Sequence, residues 1–377
     1  MSVTYRSCEK NAESVPFVKA RMPEPVIKGS FASPEAVAHI AAQKFVMGIP
    51  LYRQEQEWER NGVLISRQTM SNWLIRCAEN WLKPIYGKLH ELLRARPVLH
   101  ADETTLQVLR EPDKAAQSKS YMWLYRTSGD AEHPIVLYDY QPSRSGKHAA
   151  EFLRKFQGFL HTDGYAEYHR RLPDGITVVG CWAHCRRKFD EALKADPKKG
   201  QASSDSLRGK QFCDRLFELE RDFSGLPPDE KRQAREERSR PVMEAFFSWA
   251  EKMINTALPK TLLGQAVRYA LDQRLWLERV LLDGRLELSN NRAERSIKPF
   301  VIGRKNWLFN NTPKGAEASA MIYSIIETAK ENNINPFEYL AAVFRQAPNL
   351  PTGSSIDSLL PWNLCKRQPG SFQRWLS

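Results

Sequence analysis

The spacing of apolar residues divides the chain into a helical start, a strand-rich middle and a second helical part. From Ser33 onward apolar positions recur every three or four residues, and Ser33-Pro34 is typical of a helix start because serine caps and proline fits the first turn. A second helix is predicted over about 51–60, and a third begins after Ser66, which can cap it. These elements predict a helical region over residues 29–97.

The third predicted helix has one apolar and one polar face. Its polar face begins with Arg67, Gln68, Ser71 and Asn72, residue types that reach base edges and phosphates in DNA complexes. A helix, a short turn and a second helix with a polar start are typical of a helix-turn-helix. A plain helical hairpin gives the same pattern, so both interpretations stay open.

From Val98 the pattern changes to short apolar runs separated by polar turns, which indicates strands. A helix is predicted over about 146–156, before the fourth strand, and a basic helix follows the fifth. The strands are predicted at 98–102, 121–125, 135–138, 159–164 and 176–181. This order predicts an α/β core with a mixed sheet over residues 98–196.

Beyond residue 197 the strand pattern stops and aromatic residues recur at helical spacing, which predicts an all-helical insertion over 197–275. The core is expected to resume over 276–345, with a short helix that ends before Pro299, a loop at 303–307 and two further helices. Residues 1–28 and 346–377 lack periodicity and are expected to be irregular tails.

The charge balance narrows the class of partner. The chain has 56 lysine and arginine residues against 44 aspartate and glutamate residues, a net charge of +12. Such a chain is expected to bind a polyanion, most often nucleic acid. An anionic membrane surface is the alternative partner. No apolar run is long enough to span a bilayer, and the first thirty residues lack the apolar block of a secretory signal. We therefore expect a cytoplasmic protein.

The six cysteines are scattered along a long chain, which is typical of reduced thiols and not of a disulfide framework. Only Cys181, His184 and Cys185 cluster. A structural zinc site needs four ligands, and no second pair lies at zinc-finger spacing. We interpret the cluster as a buried turn at a strand end, with a metal role as the alternative.

Three acids follow elements that would hold them rigidly. Asp102 ends the first predicted strand, Asp163 ends the fourth, and Glu294 lies on a late helix. If those two strands are neighbours, both aspartates project at one sheet edge, and a helix across that edge adds the glutamate. Such oxygen ligands suit Mg²⁺ or Mn²⁺, and two ions about 3.5–4 Å apart can promote phosphodiester cleavage. The ordinary alternatives are a solvated strand end, an Asp-Gly turn, and a helix-surface ion pair between Glu294 and Lys298.

Basic residues alternate with aromatic ones around Glu294, a composition that suits phosphate contact combined with base stacking. The residues predicted to contact DNA, apart from Arg67, Gln68 and Asn72, are Arg186, Arg187, Arg292, Arg295, Lys298, Arg304 and Lys305.

Several motifs occur in order along the chain: PLYRQE (50–55) with SRQT (66–69), HADET (100–104), GCWAH (180–184) with RRKF (186–189), NNRAER (290–295) with GRKNW (303–307), and LLPWN (359–363). In these stretches the chain resembles the DDE transposases of the insertion-sequence-66 type. The resemblance extends from about residue 25 to 365.

The resemblance implies a ribonuclease-H-like core interrupted by a helical insertion, with Asp102, Asp163 and Glu294 as a triad that binds two Mg²⁺ or Mn²⁺ ions. The implied reaction is hydrolysis that frees a 3′-hydroxyl at the element's ends, followed by attack of that hydroxyl on target DNA. The implied partners are double-stranded DNA (transposon ends and target), further copies of the chain on that DNA, and accessory proteins encoded by the same element. The implied location is the bacterial nucleoid.

The chain departs from the family at its start. Members usually begin with a coiled coil and a cysteine-rich zinc-binding module, of which residues 5–8, ending in Cys8, resemble only the last edge. Residues 1–28 are therefore expected to be a remnant of that module. The alternative function is a catalytically inactive DNA-binding remnant that regulates transposition; a nuclease that cleaves without joining is a third.

Overall fold

The structure is a computed structural model that describes residues 2–4, 17–19, 22–195, 204–351 and 353–367, with the backbone alone for 2–4, 17–19, 169 and 365–367. Its first elements, β1 (Ser2–Thr4) and β2 (Phe17–Lys19), pair antiparallel. The expectation for Cys8 lies outside the described residues.

A five-stranded mixed sheet lies at the centre of the fold. Its strands are β3 (Val98–Gln107), β4 (Lys119–Thr127), β5 (Val136–Gln141), β6 (Gly158–His161) and β7 (Ile176–Val179). The order across the sheet is β5-β4-β3-β6-β7, with antiparallel pairing from β3 through β5 and parallel pairing from β3 through β7. The predicted mixed α/β class is confirmed, and the first and fourth predicted strands are neighbours.

Four helices precede the sheet, and the first three confirm the predicted helices: α1 (Pro34–Phe45), α2 (Leu51–Arg60) and α3 (Arg67–Cys77). The fourth, α4 (Lys83–Arg94), was not predicted and joins α3 through a π-helical turn at Ala78–Leu82. The side-chain oxygens of Ser33 and Ser66 accept hydrogen bonds from backbone N–H groups in the first turns of α1 and α3. The apolar faces of these helices bury in the same core as the sheet.

The segment just before α1 packs on this core and is not a free tail. Val26 and Ile27 are buried, and the indole N–H of Trp81 donates a hydrogen bond of 2.8 Å to the Val26 carbonyl. The described part of residues 1–28 therefore includes a segment that is anchored to the core. Two adjacent apolar side chains form no periodic pattern, which is why the sequence did not indicate this contact.

Two helices connect strands of the sheet, a third follows the last strand, and a helical layer comes after it. These three helices are α5 (Gly146–Phe152), α6 (Ala166–Arg170) and α7 (Trp182–Lys194). The helical layer contains α8 (Asp205–Asp222), α9 (Pro228–Ala234), a π-helical turn (Arg235–Ser239), α10 (Arg240–Met253), α11 (Leu262–Asp272), α12 (Arg274–Glu278) and a 3₁₀ turn (Arg279–Leu282). Its aromatic residues form a second core with α7, as their helical spacing predicts.

The last part of the chain is helical: α13 (Asn291–Trp307), α14 (Pro313–Glu331), α15 (Pro336–Gln346), 3₁₀ turns at Ala347–Asn349 and Ile356–Leu359, and α16 (Pro361–Arg367). The expectation that a helix ends before Pro299 and gives way to a loop at 303–307 is wrong. The helix continues because Ile297 and Phe300 bury in the core on both sides of the proline, and Gly303 lets α13 approach Tyr323 closely.

The C-terminal segment also departs from the expected irregular tail. Leu359, Leu360 and Leu364 are buried in the main core, and the Tyr339 hydroxyl donates a 2.7 Å hydrogen bond to the Leu359 carbonyl. Pro361 starts α16, and Pro348 lies in the 3₁₀ turn at Ala347–Asn349. The division of the chain into separate domains stays a prediction. Among the helices of the described ranges, none is both long and apolar enough to cross a bilayer.

Candidate active site

Asp102 lies on β3, and Asp163 follows two residues after the end of the neighbouring parallel strand β6. β3 and β6 pair with His100 opposite His161, an offset of 61 residues (161 − 100). The same offset separates Asp102 from Asp163, two residues further on. The expectation that Asp102 ends its strand is wrong. β3 continues beyond it to Gln107 and pairs with β4 as far as that residue. After Asp163 the chain turns at Gly164, whose φ of +95° favours glycine.

The next strand brings a thiol to the same sheet edge. β6 and β7 end with His161 opposite Val179, and Asp163 and Cys181 each follow two residues after these paired strand ends. Cys181 immediately precedes α7 and is buried. His184 follows in the first turn of α7 and is partly exposed.

Helix α13 carries Glu294 to this edge in its first turn. One carboxylate oxygen, Oε2, accepts a 3.3 Å hydrogen bond from Arg187 Nη2, and the other, Oε1, lies 3.5 Å from His184 Nε2. Among the described residues Glu294 makes no ion pair with Lys298, so the helix-surface alternative does not hold. The residues that contact Glu294 instead lie on α7.

The pKa of Asp102 gives a measure of how closely the acids converge. Burial raises this pKa well above its usual range, and the neighbouring carboxylates of Glu103, Asp163 and Glu294 raise it further. Asp163 and Glu294 therefore both lie close enough to Asp102 to affect its pKa, although the three acids come from three separate parts of the chain.

Glu103 is a fourth acid at this edge, but its oxygens are already engaged. Arg144 donates two hydrogen bonds to Oε1, at 2.9 and 2.5 Å, and the Tyr168 hydroxyl donates one of 2.8 Å to Oε2. Burial and the nearby Asp163 raise the pKa of Glu103, while Arg144 opposes the rise. Side-chain donors therefore engage both oxygens of Glu103, whereas the Asp102 carboxylate accepts, at Oδ1, a 2.8 Å hydrogen bond from the Glu103 backbone N–H.

Asn290 connects the three elements that carry the site and is fully buried. Its Oδ1 lies 3.0 Å from His100 Nδ1, and its Nδ2 donates a 2.8 Å hydrogen bond to the Ala101 carbonyl. Its backbone N–H donates to Cys181 Sγ at 3.1 Å, and its carbonyl accepts from the Glu294 N–H at 3.2 Å. From the sequence Asn290 was only the first residue of the NNRAER motif, since no spacing pattern reveals contacts 190 residues apart.

Behind the aspartates two histidine rings stack in the interior, with centroids 4.5 Å apart and planes 14° apart. Burial lowers the pKa of His100 to about 3 and that of His161 well below its usual value, so both rings are neutral at pH 7. The Glu287 backbone N–H donates to His161 Nε2 at 3.2 Å. The sequence analysis did not single out this pair, because it depends on strand register.

Three of the cations predicted to contact DNA are engaged within the fold. Arg186 pairs with Asp214 at 2.5 Å, and Arg292 pairs with Glu287 at 2.6 Å. Arg304 Nη1 donates to the hydroxyls of Thr104 and Thr105 on β3, at 3.4 and 3.2 Å.

The other predicted contacts lie on the surface. On α13 the exposed residues are Arg295, Lys298 and Lys305, and on α7 Arg187 is exposed. On α3 Arg67, Gln68 and Asn72 are exposed, Gln68 Nε2 donates a 3.0 Å hydrogen bond to Asn72 Oδ1, and Glu55 lies beside Arg67. The predicted contacts thus fall into two groups. Those on the surface of α3, α7 and α13 are accessible to a ligand, and the other three make contacts within the fold.

The chain was compared with known families and proteins. The family described as Transposase IS66 family matches residues 29–318, and the IS66 C-terminal element matches residues 324–362. The chain belongs to the IS66 transposase family. This confirms the resemblance inferred from the motifs.

The relatives of this IS66 family member include uncharacterized proteins of Sinorhizobium fredii (strain NBRC 101917 / NGR234). Protein y4qI is 32% identical over 358 residues, which cover 92% of this chain and 65% of that protein. Protein y4jD is 31% identical over 378 residues, with 97% and 71% covered. The chain therefore spans about two thirds of the length of these relatives. No solved structure matches the chain.

Proposed function

We propose that this IS66 family member is a DDE transposase that cleaves DNA strands at transposon ends and transfers them into target DNA. The observation that carries the proposal is the convergence of Asp102, Asp163 and Glu294 at one sheet edge. A member of a transposase family needs a place for phosphodiester chemistry, and three acids held by strand register and a buried helix start supply one.

The sheet supports the ribonuclease-H-like assignment, which we also propose. The central strand β3 has antiparallel neighbours on one side and parallel strands on the other, and a helical layer enters the chain before Glu294. That agrees with a core interrupted by an insertion between its second and third acids.

The donor set fits a hard divalent cation. Asp163 and Glu294 both raise the pKa of Asp102, a bound cation would stabilise its charged form, and oxygen ligands favour Mg²⁺ or Mn²⁺. We propose Asp102, Asp163 and Glu294 as the ligands of two such ions. When bound, the ions would neutralise charge on the attacking and leaving oxygens of a phosphodiester.

The other groups at the edge orient these ligands. Hydrogen bonds from Arg144 and Tyr168 occupy the oxygens of Glu103, so that it does not compete with the three acids for a cation. Asn290 fixes the start of the helix that carries Glu294. Arg187 is exposed beside Glu294, where a guanidinium can contact an approaching phosphate.

Duplex DNA, both transposon ends and target, is the proposed partner. The net charge of +12 and the exposed polar groups of α3 and α13 support contact with a phosphate backbone. We further propose self-association on DNA, since two ends must be handled together, cooperation with accessory proteins encoded by the same element, and a location at the bacterial nucleoid.

Nicking of DNA that carries the element's ends tests the chemistry. We expect nicking with Mg²⁺ and none with a chelator, and Asp102→Asn should reduce the rate about a thousandfold or more, since several kcal/mol of charge stabilisation are lost. Asp139→Asn is the matched control, because Asp139 is a strand carboxylate of the same sheet outside the convergence. Nicking that is independent of metal or insensitive to Asp102→Asn contradicts the proposal.

Joining of a 3′-hydroxyl donor end to a plasmid distinguishes a transposase from a nuclease that only cleaves. DNA binding without either reaction would instead support the regulatory alternative. Binding itself is tested by Arg67→Ala, which should lower the slope of log K against log salt by about 0.9. Arg76→Ala, exposed on the last turn of the same helix, is the control for loss of charge.

A further inference from the structure

Three different donor atoms meet beside the proposed catalytic acids. The Sγ of Cys181, a ring nitrogen of His184 and a carboxylate oxygen of Glu294 lie within 4.8 Å of one another. Cys181 and His184 are three residues apart at the start of α7, and Glu294 arrives from α13, 110 residues further along the chain (294 − 184). The sequence offered only the first two, together with Cys185.

Cys185 does not belong to this group. It is buried in the second core, where its thiol hydrogen-bonds to that of Cys213. The cluster in the structure therefore contains Cys181, His184 and Glu294 and not Cys185. It combines a sulfur, a nitrogen and an oxygen donor, whereas the sequence indicated a buried turn.

We propose that Cys181, His184 and Glu294 form a binding site for a thiophilic divalent ion, with Zn²⁺ as the best match. Thiolate, imidazole and carboxylate are the three ligand types that Zn²⁺ takes in proteins, and three protein ligands with one open position are typical of a zinc site that stays accessible. Zinc bond lengths and a tetrahedral angle require ligand atoms roughly 3.3–3.6 Å apart. His184 Nε2 and Glu294 Oε1 are already 3.5 Å apart, so only small side-chain rotations are needed.

Two of the donor groups carry buried polar atoms without a hydrogen-bond partner. Glu294 Oε1 and His184 Nδ1 each lack one among the described residues. Unsatisfied buried polar atoms are uncommon and need an explanation, and a bound ion supplies one for the carboxylate oxygen. Hydrogen bonds thus leave Oε1 free for an ion, while Oε2 keeps its contact with Arg187.

The surroundings of the sulfur suit a thiolate ligand. The Asn290 N–H donates to Sγ at 3.1 Å, and the backbone of Ala183 and His184 at the start of α7 also points at it. A cysteine binds a metal ion as the thiolate and not as the thiol. Binding therefore releases one proton from sulfur to the buffer as the metal–sulfur bond forms.

An ion can reach the site from solvent. The side chains of His184 and Glu294 are 22% and 30% exposed, and the Arg187 side chain that covers Glu294 is 52% exposed and can move away. Because Glu294 is shared with the proposed Mg²⁺ ligands, an ion held by sulfur would withdraw it from them. That consequence rests on the proposed function, whereas binding itself does not.

Cobalt titration of the purified full chain, made metal-free, tests the site. Co²⁺ should give a thiolate-to-metal charge-transfer band with one equivalent bound, Zn²⁺ should displace it, and a large excess of Mg²⁺ should not. Cys181→Ser should abolish the band, while Cys77→Ser, which removes a buried thiol of the N-terminal helices, should leave it intact. No band in the wild type, or a band that survives Cys181→Ser, overturns the proposal.

A second variant guards against misfolding of Cys181→Ser. His184→Ala, at a partly exposed position, should keep the charge-transfer band but weaken cobalt binding at least about tenfold; unchanged affinity overturns the role of His184. In a separate arm Zn²⁺ should suppress Mg²⁺-dependent nicking in the wild type. If nicking is absent altogether the proposed function fails, yet the cobalt band still decides whether the site exists.

Discussion

Two strand-borne aspartates of the same sheet, Asp102 and Asp139, resemble each other in all but their neighbours. Asp102 lies on the central strand β3 and Asp139 on the edge strand β5. Burial raises the pKa of both, that of Asp139 to about 6. At Asp139 the nearest polar contact is the Gln141 amide, whose Nε2 donates a 2.8 Å hydrogen bond. At Asp102 three further carboxylates are close enough to repel it.

The difference shows that a raised pKa alone does not identify a site. Burial is the main cause of the raised pKa of Asp139, and one nearby carboxylate, that of Glu317, raises it further. What distinguishes Asp102 is that three carboxylates raise its pKa in addition to burial, whereas one does so at Asp139. A divalent cation at the proposed site would stabilise the charged form of Asp102, which protonation otherwise replaces.

The largest expected effect concerns the support of each region. Asn290→Ala leaves His100 Nδ1 and the Ala101 carbonyl buried without partners, so the free energy of unfolding should fall by about 2–4 kcal/mol. Gln141→Ala, the matched change beside Asp139, removes one hydrogen bond of a partly exposed group and should cost about 1 kcal/mol or less. Urea unfolding at pH 7 measures both.

Equal losses of unfolding free energy in Asn290→Ala and Gln141→Ala would contradict the comparison. They would show that the hydrogen bonds around Asp102 stabilise the fold no more than the one at Asp139. Asn291→Ala serves as a control for the helix start, because that side chain is only partly buried and follows the central residue directly. It should change the free energy of unfolding by less than about 0.5 kcal/mol.

The sheet edge was predictable from sequence to the extent that local pattern determines it. Alternating apolar runs gave the strands, and the equal offset between the histidines and the aspartates follows from them once β3 and β6 are known to be neighbours. The pattern did not reveal that β3 continues through Asp102, because polar residues of a central strand look like a strand end.

The rest depended on contacts between distant parts of the chain. Pro299 suggested a helix end, yet burial of the residues around it outweighs the lost hydrogen bond. Asn290 and the pairing of Cys181 with Glu294 join segments that no periodicity relates. These contacts carry the site, so the motifs indicated its acids but not its support.

A smaller effect concerns stability without metal. The folded state keeps the Asp139 proton up to about pH 6, while the unfolded chain releases it near 4, so this group's contribution to stability is lost as pH rises between those values. Asp139→Asn should therefore raise the free energy of unfolding by about 1–2 kcal/mol at pH 7 and by little at pH 4. Asp102→Asn should also stabilise the chelated protein at pH 7, since burial and three neighbouring acids oppose its charge.

Unfolding in urea with a chelator, at pH 4 and pH 7, measures these differences. The matched variant is Asp222→Asn, on the surface of the helical layer, where a charge–charge contact with Arg238 is exposed to solvent. It should show no stabilisation at pH 7. A loss of stability in Asp102→Asn under chelation would mean that its carboxylate is held by favourable contacts and not by repulsion.

The smallest expected effect separates the two aspartates most directly. With Mg²⁺ at about ten times its dissociation constant, a protein that binds one ion only when folded gains about 1.4 kcal/mol. The wild type and Asp139→Asn should both gain this, whereas Asp102→Asn should gain much less because a ligand is lost. Thermal unfolding with and without Mg²⁺ at constant ionic strength measures the shift, and Ca²⁺ or added NaCl controls for screening. Nonspecific binding of Mg²⁺ to an acidic surface would stabilise all three proteins alike. An equal gain in Asp102→Asn would therefore contradict cation binding by the convergent acids. Asp102 would then be a buried strand carboxylate like Asp139.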